Sequence, residues 1–165
     1  MFLIRNAVAA DAAVIVDIAN KTWWPTYAQI LTTEQIQYML NVIYDVDKIS
    51  QQIENAIQEF LILEEDGQPV AFAAYSPREE DAEIYKLHKL YCLPQTQGKG
   101  YGKTLIDAVA DKVRNAGKQI LELNVNRHNQ AMGFYEKMGF SIAYEEDIPI
   151  GPYWMNDYVM RKMVY

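Results

Sequence analysis

Between Gln97 and Thr104 the chain reads Gln-Gly-Lys-Gly-Tyr-Gly-Lys-Thr, with glycines at Gly98, Gly100 and Gly102. Glycines at such spacing let a backbone turn through conformations closed to other residues and come close to a ligand. If a helix follows, its first turn offers unpaired N–H groups and a partial positive charge. Lys99 and Lys103 add cationic charge, and Tyr101 and Thr104 add hydroxyls. The segment therefore reads as an anion site suited to phosphate. Two familiar phosphate motifs fail on spacing. A P-loop needs a glycine five positions before Gly102, where Gln97 stands. A dinucleotide fingerprint needs Gly-x-Gly-x-x-Gly in the first strand–helix unit, whereas this turn lies past mid-chain. A nucleotide-phosphate enzyme built on Gly102-Lys103-Thr104 is thus the weaker reading.

Other residues could handle protons or electron pairs. His88 sits in an apolar-rich stretch and has a side chain that titrates near neutrality, whereas His128 lies in a polar one. Cys92 is the single cysteine, which rules out an internal disulfide and reads as a small hydrophobe of a strand. No Cys/His set has metal-ligand spacing, so no metal is expected. Tyr135, beside Phe134 and Met138 at helical spacing, is by pattern alone a core aromatic. Trp23, Trp24, Tyr27 and Tyr38 form an aromatic cluster, read either as core or as a wall for a cation or an apolar body.

These residues need positioning elements. Phe2–Arg5 reads as a strand, and a helix capped by Asp11 carries Val14, Ile15 and Ile18 before Trp23-Trp24-Pro25 stops it. Thr32 or Thr33 caps a second helix, with Ile36, Met39, Leu40 and Ile43 on one face. Ile49, Ile53, Ile57 and Phe60 form the apolar side of a third. The period then changes. Strands at 60–63 and 70–75 flank an Asp66-Gly67 turn, and 83–93 is another strand, ended by Pro94. A helix from Gly100 to the Gly117 stop, a strand at 120–125, a short helix closed by Gly139, and strands at 142–148 and 158–165 complete the order. That order makes one mixed α/β (α+β) domain over 1–165. Size and composition agree: 165 residues, 50% hydrophobic and 22% charged, suit a single folded domain. The formal charge of −7 argues against a nucleic-acid partner. No apolar run approaches the ~20 residues that cross a bilayer, and no secretory leader is evident, so no membrane association and a cytoplasmic location are expected.

Gln97-x-x-Gly100-x-Gly102 resembles the Gln/Arg-x-x-Gly-x-Gly/Ala signature of the GNAT superfamily of acyl-CoA-dependent N-acetyltransferases. Leu87 to Pro94 resembles the strand before that signature, and Asn129 to Phe140 is similar to the family's later conserved segment. The resemblance implies a central mixed, mostly antiparallel sheet of six or seven strands, flanked by helices and splayed at a cofactor groove. It implies acetyl-CoA as cosubstrate, its pyrophosphate on the amides of Gly98 to Thr104, its pantetheine along Tyr91, Cys92 and Leu93, and polar contacts from Gln97, Asn129 and Lys137. A backbone N–H at Cys92 or Leu93 would face the thioester oxygen. Tyr135 takes the position of the acid that protonates the departing thiolate.

The base is less defined. Where relatives often carry a glutamate on the central strand, this chain has Lys86, which leaves His88, acting through water, as the candidate. Trp24-Pro25-Thr26-Tyr27 and Glu34 to Leu40 look loosely like the polyamine N-acetyltransferase branch, with Trp23, Trp24, Tyr27 and Tyr38 as acceptor contacts. The expected reaction is direct transfer of acetyl from acetyl-CoA to a small-molecule primary amine. A non-catalytic acyl-CoA sensor is the alternative, supported by Lys86. The segment Tyr153 to Met160 is expected to line the pocket or make an oligomer contact, a homodimer among them.

Overall fold

The computed structural model describes all residues from Met1 to Tyr165. Its strands are β1 (Phe2–Asn6), β2 (Glu59–Glu65), β3 (Gln68–Pro77), β4 (Ile84–Cys92), β5 (Ile120–Asn126), β6 (Ser141–Ile150) and β7 (Tyr153–Met163). They form one seven-stranded sheet in the order β1-β2-β3-β4-β5-β7-β6. Every neighbouring pair is antiparallel except β4 with β5. The helices are α1 (Ala12–Tyr27), α2 (Thr33–Ile43), α3 (Val46–Glu54), α4 (Tyr101–Asn115) and α5 (Ala131–Lys137). The mixed, mostly antiparallel α/β arrangement expected from the sequence is the one observed. No helix is long and apolar enough to cross a membrane.

Local chemistry explains most element ends. The Thr32 hydroxyl accepts from the Gln35 N–H at 3.1 Å to start α2, and the Asp45 carboxylate accepts from Lys48 N–H at 3.0 Å to start α3. Asp66 and Gly67 both have positive φ, the geometry of the tight two-residue hairpin joining β2 to β3.

Three boundaries differ from expectation. Helix α1 does not stop at Trp23-Trp24-Pro25 but continues to Tyr27, with Pro25 inside its last turn. Proline there forfeits one hydrogen bond near a helix end, whereas continuing the helix buries Tyr27 along with Trp23. The third amphipathic segment ends at Glu54. Ile57 lies beyond it and is exposed, and Phe60 belongs to β2. The last strand begins at Tyr153 rather than Tyr158, so the tail segment 153–160 is a sheet strand between β5 and β6.

Two irregularities in β4 open the middle of the sheet. Its pairing with β3 runs Ala74↔Lys89 and then Tyr75↔Leu87, so His88 is the extra residue of a β-bulge. Its parallel pairing with β5 begins at Ile84↔Ile120 and ends at Leu87↔Leu123. Beyond that rung the strands part, and the sheet is splayed from His88 and Asn124 onward. Bulges bend and twist a strand, which accounts for the parting at this point.

Candidate active site

A cleft of about 1520 Å³ opens at the splay, running from α1 across β4 and β5 to the start of α4 and to α5. One end of it is the glycine-rich turn. Gly100, at φ +79°, is left-handed and caps α4. Gly102 leaves room for Phe134, whose ring would lie 3.2 Å from a Cβ placed there. Thr104 is the first residue of the turn whose N–H closes a helical bond, to Gly100. The N–H groups of Gly98, Gly100, Tyr101, Gly102 and Lys103 bond no backbone carbonyl, and Gly98, Gly100, Tyr101, Gly102 and Lys103 all line the cleft. Together they form a polar cradle fit for a pyrophosphate. Both lysines of the turn are paired, Lys99 with Glu65 at 2.6 Å and Lys103 with Asp107 at 2.7 Å. The Tyr101 hydroxyl also bonds Glu65, tying the turn to the end of β2.

Along the splay, the two residues expected to offer an oxyanion donor are not equivalent. Leu93 N–H donates to the Val70 carbonyl at 2.9 Å and is spent. Backbone groups alternate sides along a strand, so Cys92 and Leu90 point theirs into the opening. Burial pushes the Cys92 thiol up to about 11, which keeps it protonated and a poor nucleophile. On α5, Tyr135 packs edge-on against Phe134 and Phe140. Burial, then Tyr27 and Cys92, push its phenol up, so it holds its proton at neutral pH. Asn129 spends its side-chain oxygen on the Ala131 N–H at 2.9 Å, starting α5, and its amide lines the cleft beside the Tyr27 hydroxyl. Gln97 and Lys137 also line this end.

The acceptor side departs more from expectation. His88 Nε2 lies 2.7 Å from the Ser76 hydroxyl. Burial, with Lys89 and Lys86 beside it, pushes His88 down to about 3. A neutral imidazole of that affinity takes no proton from an ammonium, which counts against His88 as the base. Trp23 is 3% exposed among Tyr27, Tyr44 and Tyr91 and is a core residue, not a pocket wall. Trp24 is half-buried and does not line the cleft, and neither does Tyr38, whose ring packs tilted against Tyr153. Of the four aromatic residues only Tyr27 does.

Sequence reasoning missed a buried polar row beside the cleft, of which Lys89 and Asn124 line it. Lys89 is buried over the Phe60 ring, donates to Gln58 at 2.6 Å, and is pushed down to about 7 by burial. Glu122, 2% exposed, is held by Arg78 at 3.1 Å and Arg161 at 2.9 Å. Beyond it Asn124 on β5 meets Asp157 on β7. No motif marks this row. The sequence signal is weak: Glu122, Asn124 and Asn126 alternate with apolar residues along β5, as on any strand with one polar face.

The Acetyltransferase (GNAT) domain family model matches residues 27–148. The chain belongs to the GNAT acetyltransferase family. An uncharacterised N-acetyltransferase of Mycobacterium bovis is 28% identical over 156 residues, covering 93% of this chain and 99% of that protein. A spermidine N(1)-acetyltransferase of Thermoplasma acidophilum is 26% identical over 163 residues, covering 96% of this chain and 95% of that one. Among solved structures, PaiA N-acetyltransferase from Thermoplasma acidophilum in complex with coenzyme A superposes with a TM-score of 0.86 at 26% identity, over 99% of both chains. As a GNAT domain this protein is an acyltransferase, and the cleft at its splayed sheet is the candidate active site.

Proposed function

We propose that this GNAT domain transfers acetyl from acetyl-CoA to a primary amine of a small molecule, of the polyamine class, by direct attack in a ternary complex. The observation that carries the reading is the continuity of one cleft. It joins the free amides of Gly98 and of Gly100 to Lys103, the open edge of β4 at Cys92, and the Tyr135 phenol. The coenzyme in the Thermoplasma structure and the spermidine acetyltransferase among the relatives support the donor and the acceptor class respectively.

In this mechanism the turn binds the pyrophosphate through backbone N–H groups, with Gln97, Lys99, Tyr101, Lys103, Thr104, Asn129 and Lys137 around it. Tyr91 and Leu93 flank the pantetheine arm along β4, and the Cys92 N–H faces the thioester oxygen as negative charge grows there. The amine nitrogen attacks the carbonyl carbon, the C–S bond breaks, and Tyr135 gives its proton to the departing sulfur. The protonated Cys92 thiol is the reason to favour direct attack over an acyl-enzyme. Tyr27 borders the acceptor.

The test is calorimetric titration with acetyl-CoA and, separately, with ATP, followed by thiol release over a panel of polyamines and amino acids. Acetyl-CoA binding with release on spermidine but not on amino acids supports the reading. Binding with no release on any amine moves the domain to an acyl-CoA sensor, and preference for ATP overturns the donor.

A further inference from the structure

Past the last rung shared by β4 and β5, strands β5 and β7 continue side by side, with Asn126 opposite Asp157. Asn124, one pleat earlier on the same face, donates its side-chain NH₂ to Glu146 at 3.0 Å and to Asp157 Oδ2 at 3.2 Å. Both amide hydrogens are thereby used, and the amide cannot be reversed, because reversal would set its oxygen against two carboxylates. The Asn124 Oδ1 is consequently turned away from them, and Asn124 lines the cleft. That oxygen and Asp157 Oδ1 are both buried with no partner. Asp157 is only 5% exposed. Arg127 does not fill the gap: its Nε bonds the Asp157 main-chain carbonyl at 3.1 Å and its Nη2 bonds Asp147 at 2.9 Å. Two buried acceptor oxygens without a donor, carried by hydrogen-bonded side chains and one of them on a carboxylate, call for a cation carrying several N–H groups.

We infer that Asn124 and Asp157 form the seat of the acceptor's primary ammonium, and that the Asp157 carboxylate takes its first proton. The inference rests on the acetyl-transfer reading above. The ammonium gives one proton to Asp157 and becomes a free amine. Its lone pair forms the C–N bond as the C–S bond breaks and Tyr135 protonates the sulfur. The nitrogen's second proton returns to Tyr135 through solvent, and Asp157 releases its proton to water.

The charges facing Asp157 agree with that role. Burial pushes its carboxyl up to about 6, and Glu146 on β6 adds to the push. Asn124 on β5, Lys86 on β4 and Arg127 after β5 oppose it. At neutral pH the group is ionised, yet it holds a proton about a hundredfold better than an ordinary carboxylate. Tyr27 of α1 is near enough to both Asp157 and Tyr135 to feel each, and Tyr27, Tyr135 and Asn124 all line the cleft, with Asp157 buried and reached through Asn124.

The test uses the full chain with spermidine, or with whichever amine of the panel turns over fastest. In the wild type, kcat/KM is expected to rise with pH through about 6. In Asp157→Asn that limb is lost and kcat falls about a hundredfold, while the acetyl-CoA Kd stays within about twofold. Asn124→Ser keeps a donor for Asp157, removes the amide oxygen, and is expected to raise the amine KM about tenfold without moving the acid limb. Thermal melts of both variants report folding. A folded Asp157→Asn that retains the limb and the amine KM overturns the seat while leaving acetyl transfer standing. A wild type that binds acetyl-CoA and acetylates no amine overturns both.

Discussion

At the residue scale, burial decides roles that residue type leaves open. Tyr135 and Cys92 both line the cleft, and both are held in their protonated forms, which suits Tyr135 to the acid role proposed for it and leaves Cys92 a poor nucleophile. Tyr135→Phe is expected to lower kcat about a hundredfold or more, with the acetyl-CoA Kd nearly unchanged by calorimetry. Trp23→Ala tests the opposite assignment. Emptying a core site of that size costs about 3–5 kcal/mol, so the melting temperature should fall while the amine KM of the folded fraction holds. Lys89 carries a pH signature. Its folded-state pKa, about 7 against an ordinary 10.5, means that the unfolded chain binds more protons between those values. Stability should therefore climb as pH rises through that window. Lys89→Met should flatten the climb and gain about 1–2 kcal/mol at pH 7 in denaturant melts, the rest being lost to the unpaired Gln58.

At the scale of elements, the site is made by irregularities. The bulge at His88 turns Lys86, His88 and Lys89 toward one face, and the early end of β4–β5 pairing frees the Cys92 backbone. The turn before α4 depends on a left-handed Gly100, where a β-branched residue is costly. Gly100→Val is expected to weaken acetyl-CoA binding about tenfold or more and to lower stability by about 1–2 kcal/mol, measured by calorimetry and thermal melts. Helix α1 shows the reverse balance. Pro25 is a local stop signal, yet the burial of Tyr27 one residue past Thr26 outweighs a single lost hydrogen bond.

For the whole molecule, the net charge of −7 forms a field that attracts a polycation and repels an anionic coenzyme. Salt should therefore act in opposite directions on the proposed polyamine acceptor and on acetyl-CoA. Raising ionic strength from about 0.05 to 0.5 M should increase the spermidine KM several-fold, and should leave the acetyl-CoA KM level or lower, in initial-rate assays. A spermidine KM that does not move with salt would disconnect the field from acceptor binding.

The sequence by itself determined the sheet-and-helix order, the family, and the glycine-rich turn at one end of the cleft. Each of these is written locally. Glycines at 98, 100 and 102 are required wherever backbone amides must reach a ligand, and period-two or period-3.6 patterns mark most strands and helices without knowledge of their neighbours. Only the tertiary structure brought together the groups proposed to hold the acceptor. Asn124, Asp157, Glu146, Lys86 and Tyr27 come from five elements, and nothing in their spacing brings them together. The same holds for Trp23, whose ring suits a pocket or a core equally until its neighbours are known, and for His88, whose affinity for a proton is lowered by burial and two lysines. A backbone-bound ligand leaves its mark in consecutive residues. A ligand bound by side chains depends on which distant groups fold together, and on which of their oxygens are left without a partner.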